Sequence, residues 1–374
     1  LVAATEALGV EMLRSAEEGE NVVVSPASLA LAFAMLAPGV TNDTVDEMTR
    51  LLGAEPAAAI DMAGAVLAEY ARWGGDPTDF DPEEAPEAPF LHLANRAVVR
   101  EGYEVEQYYL DELVRNFDAG LAQADFADQA AAKRVLDEWV NHHTAGLIPE
   151  SAIDPHGDLV LVLQNALLFG ARWETPFEEY LTRDREFTLI DGSAFQVPMM
   201  GADLISVRYV DVDGWSAIEL PYTEGFVANF FLPPEGEDPA SVTNLPELTE
   251  ALAAAEALEV AVAIPKMDTE SEVDLRELLE GLGYSAIFDC EAGSFEGIGP
   301  GLCIDQAAQQ AILRVDEEGT VAAAVTEIAV GEAAAPLPER EFVADRPFLM
   351  TIRSVEPGWD LFQAAIRDPR PDDD

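Results

Sequence analysis

The stretch EEGTVAAAVTEIAVGEAAAPLPEREF, residues 317–342, is poor in charge within a chain of which 25% is charged. Between Thr320 and Gly331 the sole charge is Glu327. Laid out as a strand, period-two alternation puts Thr320, Ala322, Ala324, Thr326, Ile328 and Val330 on one face, which carries no charge. Glu327 falls on the other face with Val321, Ala323, Val325 and Ala329. The segment can therefore be buried in a sheet, while its alanines are equally at home in exposed helix or coil. A segment with two states is the reading these residues give.

The rest of the chain supplies the contrast. In 374 residues there are 72 acidic and 20 basic side chains, a formal net charge of −52, and only Lys133 and Lys266 are lysines. Such self-repulsion is relieved by concentrated salt, so the composition reads as that of a halophile's protein. Disorder does not fit, because the acids are interspersed with apolar residues at helix and strand spacings. The lack of any basic cluster argues against a nucleic-acid or heparin-like partner. Cys290 and Cys303 read equally as two buried thiols or as one disulfide, and their spacing fits no zinc pattern. No apolar run has membrane-spanning length and no signal peptide is visible, but the sequence begins at Leu1, so a leader trimmed away is compatible with it.

Helix signals dominate the first part. Residues 1–19 read as an amphipathic helix; Ser25-Pro26 starts an apolar helix buried all round; TNDTVDEMTRLLG is a helix closed by Gly53. Residues 73–90, rich in Pro, Gly and acid, read as an exposed loop or insertion. A strand follows (LHLANRAVVRE), then helices over 105–117 and 129–144, then a strand buried on both faces over 158–169. Short strands alternate with turns over 187–232, a helix is expected over 271–282, and FLMTIR and LFQAAI close the chain as a hairpin. Helices early and strands late argue for an α+β protein with a large mixed sheet. Catalysis finds little support. His92, His142, His143 and His156 form no metal pattern and read as solvated or helix-end residues, GSFEGIGPG reads as a turn, and no nucleophile, zinc or phosphate motif is present. No catalytic residue, metal or cofactor is assigned.

NVVVSPASLALAFAMLAPGVTNDTVDEM, LVLQNALLFGARWETPF, DGSAFQVPMM, AIPKM, VDEEGTVAAAVT and FVADRPFLMTIR resemble, in order and spacing, successive motifs of the serpin family, and together they span nearly the whole chain. The resemblance implies one domain over residues 1–374, with three β-sheets (a large sheet A and sheets B and C), about nine α-helices and an exposed reactive-centre loop at about 317–341. It also implies an inhibitory serpin, a suicide substrate that traps the acyl-enzyme of a serine protease by inserting its cleaved loop into sheet A. The alternative is a non-inhibitory serpin acting as a binding or storage protein.

Residue by residue, the resemblance makes Glu317, Glu318, Gly319, Thr320, Val321, Ala322, Ala323, Ala324, Val325 and Thr326 the hinge, with Gly319 supplying unusual backbone angles. Ser25, Ser28 and Asn165 correspond to the shutter, where Gln309 replaces the histidine of many members, which implies a rearranged hydrogen-bond network. Trp173 corresponds to the breach, and Lys266 to the lysine that pairs with the hinge glutamate, here Glu317. Counting about fourteen residues from Gly319 puts the reactive bond at Ala333-Ala334, with Ala334-Ala335 next. Small residues there imply elastase-like or subtilisin-like targets. The remaining expectations are a monomer, located outside the cell or in its envelope, with a cytoplasmic location also open.

Overall fold

The structure, a computed structural model, describes residues 1–16, 19–117, 119–290, 293–320 and 338–370, without the side chains of 120 and 121. Helix α1 (Val2–Arg14) leads through strand β1 (Val22–Val24) to α2 (Pro26–Leu36). The Ser25 hydroxyl accepts from the Ser28 amide and Pro26 occupies the first helical turn, so start signal and helix coincide. Helix α3 (Thr44–Leu52) stops at Gly53, whose φ of 66° is left-handed. Helix α4 (Pro56–Tyr70), absent from the sequence reading, is rich in alanine, so its buried stripe of Ala59, Ile60, Ala63 and Tyr70 has little polar contrast. The expected exposed loop at 73–90 is a correction: Trp73, Pro77, Phe80 and Ala85 are buried and pin it to the body.

The remaining elements are β2 (Phe90–Arg100), α5 (Gln107–Phe117), β3 (Gly120–Ala124), α6 (Gln129–His143), β4 (Leu161–Arg172), β5 (Arg183–Thr188), β6 (Ala194–Val212), β7 (Trp215–Pro221) and β8 (Phe226–Leu232). Then follow α7 (Leu245–Ala254), β9 (Ala257–Pro265), β10 (Met267–Asp274), α8 (Leu275–Gly281), β11 (Ala308–Val315), β12 (Gly319–Thr320), β13 (Arg340–Val343), β14 (Phe348–Ser354) and β15 (Asp360–Ile366). The expected helix over 271–282 begins late. Buried Met267, Thr269 and Val273 alternate with exposed neighbours in β10, and Asp274 caps α8 by accepting from Arg276 and Glu277 amides.

The strands form a 6-stranded sheet, β10-β11-β12-β4-β2-β3, and a 9-stranded sheet, β1-β15-β14-β8-β7-β6-β9-β13 with β5 on β6. Among the described residues two hydrogen-bonded sheets thus stand where three were expected, and α1 to α8 are the α-helices. The reason is β6, which runs for 19 residues with a bulge between Ala202 and Ile205 and joins what would be two sheets into one. The closing hairpin is there: β14 pairs antiparallel with β15. Helix α2 is buried along most of its surface and packs against both β15 and β4, which places it between the sheets. Helix α6 covers the opposite face of the 6-stranded sheet, where Arg96 donates to the Val135 carbonyl (2.6 Å) and Gln164 to that of Leu136 (3.1 Å).

Strand β4 differs from the expected doubly buried run. Val162, Gln164, Ala166 and Leu168 are buried, but Leu161, Leu163, Asn165 and Leu167 are half-buried. Cys290 and Cys303 form a disulfide with Cα atoms 4.7 Å apart, which decides between the two readings of the pair. The stretch 44–79 is long and apolar enough by composition to cross a membrane, but Gly53 and Pro56 interrupt it. Its longest helix, α4 with 15 residues, measures about 22 Å, short of the ~30 Å hydrocarbon core.

Candidate functional site

The candidate site is the upper end of the 6-stranded sheet and the cleft below it. Strand β12 is short but seated between two others: Gly319 and Thr320 pair with Arg172 and Ala171 of β4, and Thr320 with Val315 of β11. The turn that delivers it is tightly held. The Asp316 carboxylate accepts from the amides of Glu318 (2.8 Å) and Gly319 (3.3 Å), and the Trp173 indole donates to the Asp316 carbonyl (2.9 Å). Burial pushes the Asp316 carboxyl up to about 6 against those two hydrogen bonds. Trp173, fully buried, stacks on Tyr222 at 4.4 Å, and the Tyr222 hydroxyl meets that of Thr320 at 2.5 Å.

Lys266 and Glu317 come together here: Nζ lies 2.8 Å from Oε2, with the Glu317 side chain 5% and the Lys266 side chain 43% exposed. Thr182 donates to the other carboxylate oxygen at 2.7 Å. Burial raises the Glu317 carboxyl, but the hydrogen bonds from Lys266 and Thr182 and the lysine charge outweigh it, leaving the group below its ordinary value. Glu318 pairs with Arg172 at 3.3 Å. Gly319 owes its identity to space, which corrects the expected backbone role. It is not among the positive-φ residues, and a Cβ there would lie 2.1 Å from the Ala171 carbonyl oxygen.

Below Thr320 the described strands β4 and β11 are not paired with each other. Among the described residues, 161–170 of β4 pair only with β2, and β11 pairs with β10 and β12 but not with β4. A cavity of about 160 Å³ lies there, lined by Ser28, Leu163, Asn165, Ala307 and Gln309 among others. The shutter residues gather at this cavity as two separate links. Gln309 accepts from the Ser25 amide (2.7 Å) and donates to the Ser25 carbonyl (2.9 Å), gripping the start of α2 at both ends of its side-chain amide. Ser28 donates to Asn165, whose amide donates to Asn95 at 2.7 Å. No hydrogen bond between Gln309 and Asn165 is present, so the rearranged network divides between β11 and β4. The arrangement offers two strand edges, an uncharged floor and one strand already started.

The sequence reading missed Thr182, Tyr222 and Asn95, which reach the site only through tertiary contacts, and Asp316, which sits beside the hinge and bonds its amides locally. It also scattered the histidines. His92 of β2 and His143 of α6 face each other at 2.9 Å with rings stacked 4° from parallel, and His92 contacts the Gly75 carbonyl at 3.1 Å. Burial, helped by His92 and His142, pushes the His143 imidazole down to about 4. These rings tie α6 to the sheet; they are neither solvated nor merely helix-end groups. His156 meets Asp305 at 2.6 Å. No cluster able to hold a metal ion is present among the described residues. Val321, Ala322, Ala323, Ala324, Val325 and Thr326, and the reactive-bond candidates Ala333, Ala334 and Ala335, lie outside the described residues.

Comparison with known proteins converges on one family. The family described as "Serpin (serine protease inhibitor)" matches residues 3–369. Plasminogen activator inhibitor 1 of Sus scrofa is 31% identical over 96% of this chain and 90% of its own length. Serpin-Z10 of Arabidopsis thaliana is 28% identical over 96% of this chain and 94% of that protein. Among solved structures, the thermophilic serpin tengpin in its native state superposes with a TM-score of 0.85 at 22% identity, covering 98% of this chain and 93% of that one. Serpin-12 of Manduca sexta does so at 0.83 and 23% identity, covering 98% of each.

Proposed function

The chain belongs to the serpin family, and from that premise we propose that it is an inhibitory serpin that traps serine proteases by inserting its cleaved loop between β4 and β11. Family membership carries a non-catalytic, protease-inhibitor role rather than an enzymatic one. One observation carries the finer reading: β12 is seated between β11 and β4 at the head of a parted sheet. Thr320 opposes Ala171 and Val315, so each further residue of an inserting strand steps one residue back along both neighbours. Six steps on, Thr326 would arrive between Asn165 and Gln309, the two shutter residues on opposite banks of the cleft. Thr320 is buried toward the core, so Ala322, Ala324, Thr326, Ile328 and Val330 would follow it onto the core face. Glu327 would face the α6 side. That register matches the uncharged face legible in the sequence.

The chemistry asked of the loop is that of a substrate. A serine protease attacks it, an acyl-enzyme forms, and insertion carries the enzyme away before water can complete the reaction. About a dozen inserted residues at ~0.5–1.5 kcal/mol net per hydrogen bond supply on the order of ten kcal/mol before ordering entropy is subtracted. The cleft must therefore be kept unfilled in a metastable native state.

The remaining parts of the proposal rest on composition and on the disulfide. The whole chain acts as one serpin domain and as a monomer; 72 acids against 20 bases suit work in concentrated salt; Cys290–Cys303 suits an extracellular or envelope location. The reactive bond is Ala333-Ala334, with elastase-like or subtilisin-like proteases as targets. The test is incubation with an alanine-preferring serine protease in molar salt. An SDS-resistant complex supports inhibition, and mass spectrometry of the released fragment locates the cut. Cleaved protein beside fully active protease contradicts inhibition, and a dominant cut after Arg340 contradicts the reactive bond.

A further inference from the structure

A buried cluster of ionisable side chains joins helix α1 to the closing hairpin of the 9-stranded sheet, β14–β15. Arg353 of β14 donates from a single nitrogen, Nη1, to Glu6 Oε1 of α1 (2.7 Å) and to Asp360 Oδ1 of β15 (2.7 Å). The Glu6 and Asp360 side chains are 11% and 3% exposed, so two carboxylates share one guanidinium with almost no water to spread their charge. The Asp360 amide also donates to Glu6 Oε1 (3.3 Å), and Gln363 donates to Asp360 Oδ2 (2.8 Å) and to the Glu6 carbonyl (3.3 Å). The Trp359 indole reaches Thr5 of α1 (3.2 Å). From α4, Tyr70 faces the cluster with its hydroxyl on Ser354 (2.8 Å), and α2, which packs against both α1 and β15, has no charged residue. The cluster is short of a proton on two counts. With both carboxyls ionised it holds one negative charge in excess, and Gln363 Oε1 is buried with no donor among the described residues.

We propose that Glu6, Asp360 and Arg353 form a proton-operated lock on α1, closed while the two carboxyls share a proton and loosened when both are ionised. Two like charges held to the same nitrogen repel each other across the contact between α1 and β15, and burial leaves that repulsion poorly screened. A shared proton removes the excess charge and adds a donor at once. Burial and the Asp360 charge push the Glu6 carboxyl up to about 7, against Arg353 and the hydrogen bonds, and burial raises the Asp360 carboxyl too. The two titrate as a pair. The folded protein holds this proton more tightly than the unfolded chain does, so its contribution to stability is complete below the ordinary value of 4.5 and is lost as pH rises to about 7. The loosening falls on the first turns of α1, because its far end is held by other groups: Arg14 binds the carbonyls of Ala240 (2.9 Å) and Val242 (2.6 Å), and Arg367 that of Leu13 (3.3 Å). The lock requires nothing of the cleft between β4 and β11 and stands apart from the inhibitory reading.

The test compares the unmodified protein with Glu6→Gln, which keeps the acceptor for Arg353 and cannot ionise. Molar salt shortens the Debye length to about 3 Å and screens the surface carboxylates, while Asp316 and His143 titrate alike in both proteins and cancel in the difference. Relative to Glu6→Gln, the unmodified protein is expected to lose up to roughly a hundredfold in its folding equilibrium between about pH 5 and 8, or about 2–4 °C in melting temperature for a chain of this length. Deuterium exchange of the amides in the first turns of α1 should be faster in the unmodified protein than in Glu6→Gln at the alkaline end of that range and equal at the acid end. Asp360→Asn removes the other charge and should diverge with the same sign; it serves if Glu6→Gln does not fold. In the unmodified protein alone, protection of those α1 amides, corrected for the chemical pH dependence of exchange, should fall relative to that of α2, a readout that needs no variant. A melting difference that stays constant with pH overturns the lock, and so does exchange in α1 that keeps pace with α2 across the range.

Discussion

The ion pair at the head of the cleft can be isolated by a double-mutant cycle of Lys266→Met and Glu317→Gln. At 2.8 Å the Coulomb attraction at an effective dielectric constant of 20 is about 6 kcal/mol, but Lys266 is 43% exposed and its hydration offsets most of this. A coupling of about 1–2 kcal/mol is expected, the range of a charge-assisted hydrogen bond with one solvated partner. The single variants should be unequal. Lys266→Met leaves the buried Glu317 carboxylate with Thr182 and its own backbone amide and should cost about 2 kcal/mol, whereas Glu317→Gln lets the lysine turn to water and should cost about 1. Salt sharpens the test, because the Debye length is about 3 Å at 1 M and a pair between exposed groups would vanish there. Burial of Glu317 should preserve more than half of the coupling. The assay is urea unfolding followed by tryptophan fluorescence, with Trp173 inside the site. The sign with pH is fixed too: a carboxyl whose folded value is lowered stabilises above its unfolded value of 4.5, and that contribution is lost as pH falls through the folded value. Coupling below about 0.3 kcal/mol, or its complete loss in molar salt, would refute a buried electrostatic latch.

Two further outcomes follow from the same geometry. Thr320 is 2% exposed and bonded to Tyr222, so Thr320→Arg should prevent β12 from seating; on gels the protein should be cleaved at an undiminished rate while the SDS-resistant complex is lost. His143 is held low by burial and faces His92, His142, Arg96 and Asp76, so the unfolded chain binds its proton more tightly between pH 6.5 and about 4. Stability should decline by about 1–2 kcal/mol through that window after allowance for solvent screening, and His143→Gln should flatten the slope in urea titrations.

Legibility in the sequence followed the range of the interactions. Helix α2 was readable because Ser25, Pro26 and an apolar run are local signals, and the β14–β15 hairpin because two apolar runs flank a short turn. The uncharged face beginning at Thr320 was readable because period two is intrinsic to a strand. Helix α4 was not, since alanines give its two faces nearly equal polarity. The grip of Gln309 on Ser25 was invisible for another reason: its partners are backbone groups, which every residue carries. Tyr222 and Thr182 join the site across many residues of chain with no local mark. Gly319 was singled out for the wrong cause, because sequence reports the missing side chain but not the Ala171 carbonyl that forbids one.

The central claim is the proposal that a strand enters between β4 and β11 after cleavage. It is tested most directly by thermal unfolding of the protein before and after a single cut within 332–336, in the same molar salt. Insertion predicts that the cleaved form melts well above the intact one, by on the order of ten degrees, which is what on the order of ten kcal/mol of added pairing, before ordering entropy is subtracted, gives in a domain of this size. A cleaved form that melts at or below the temperature of the intact protein would contradict it.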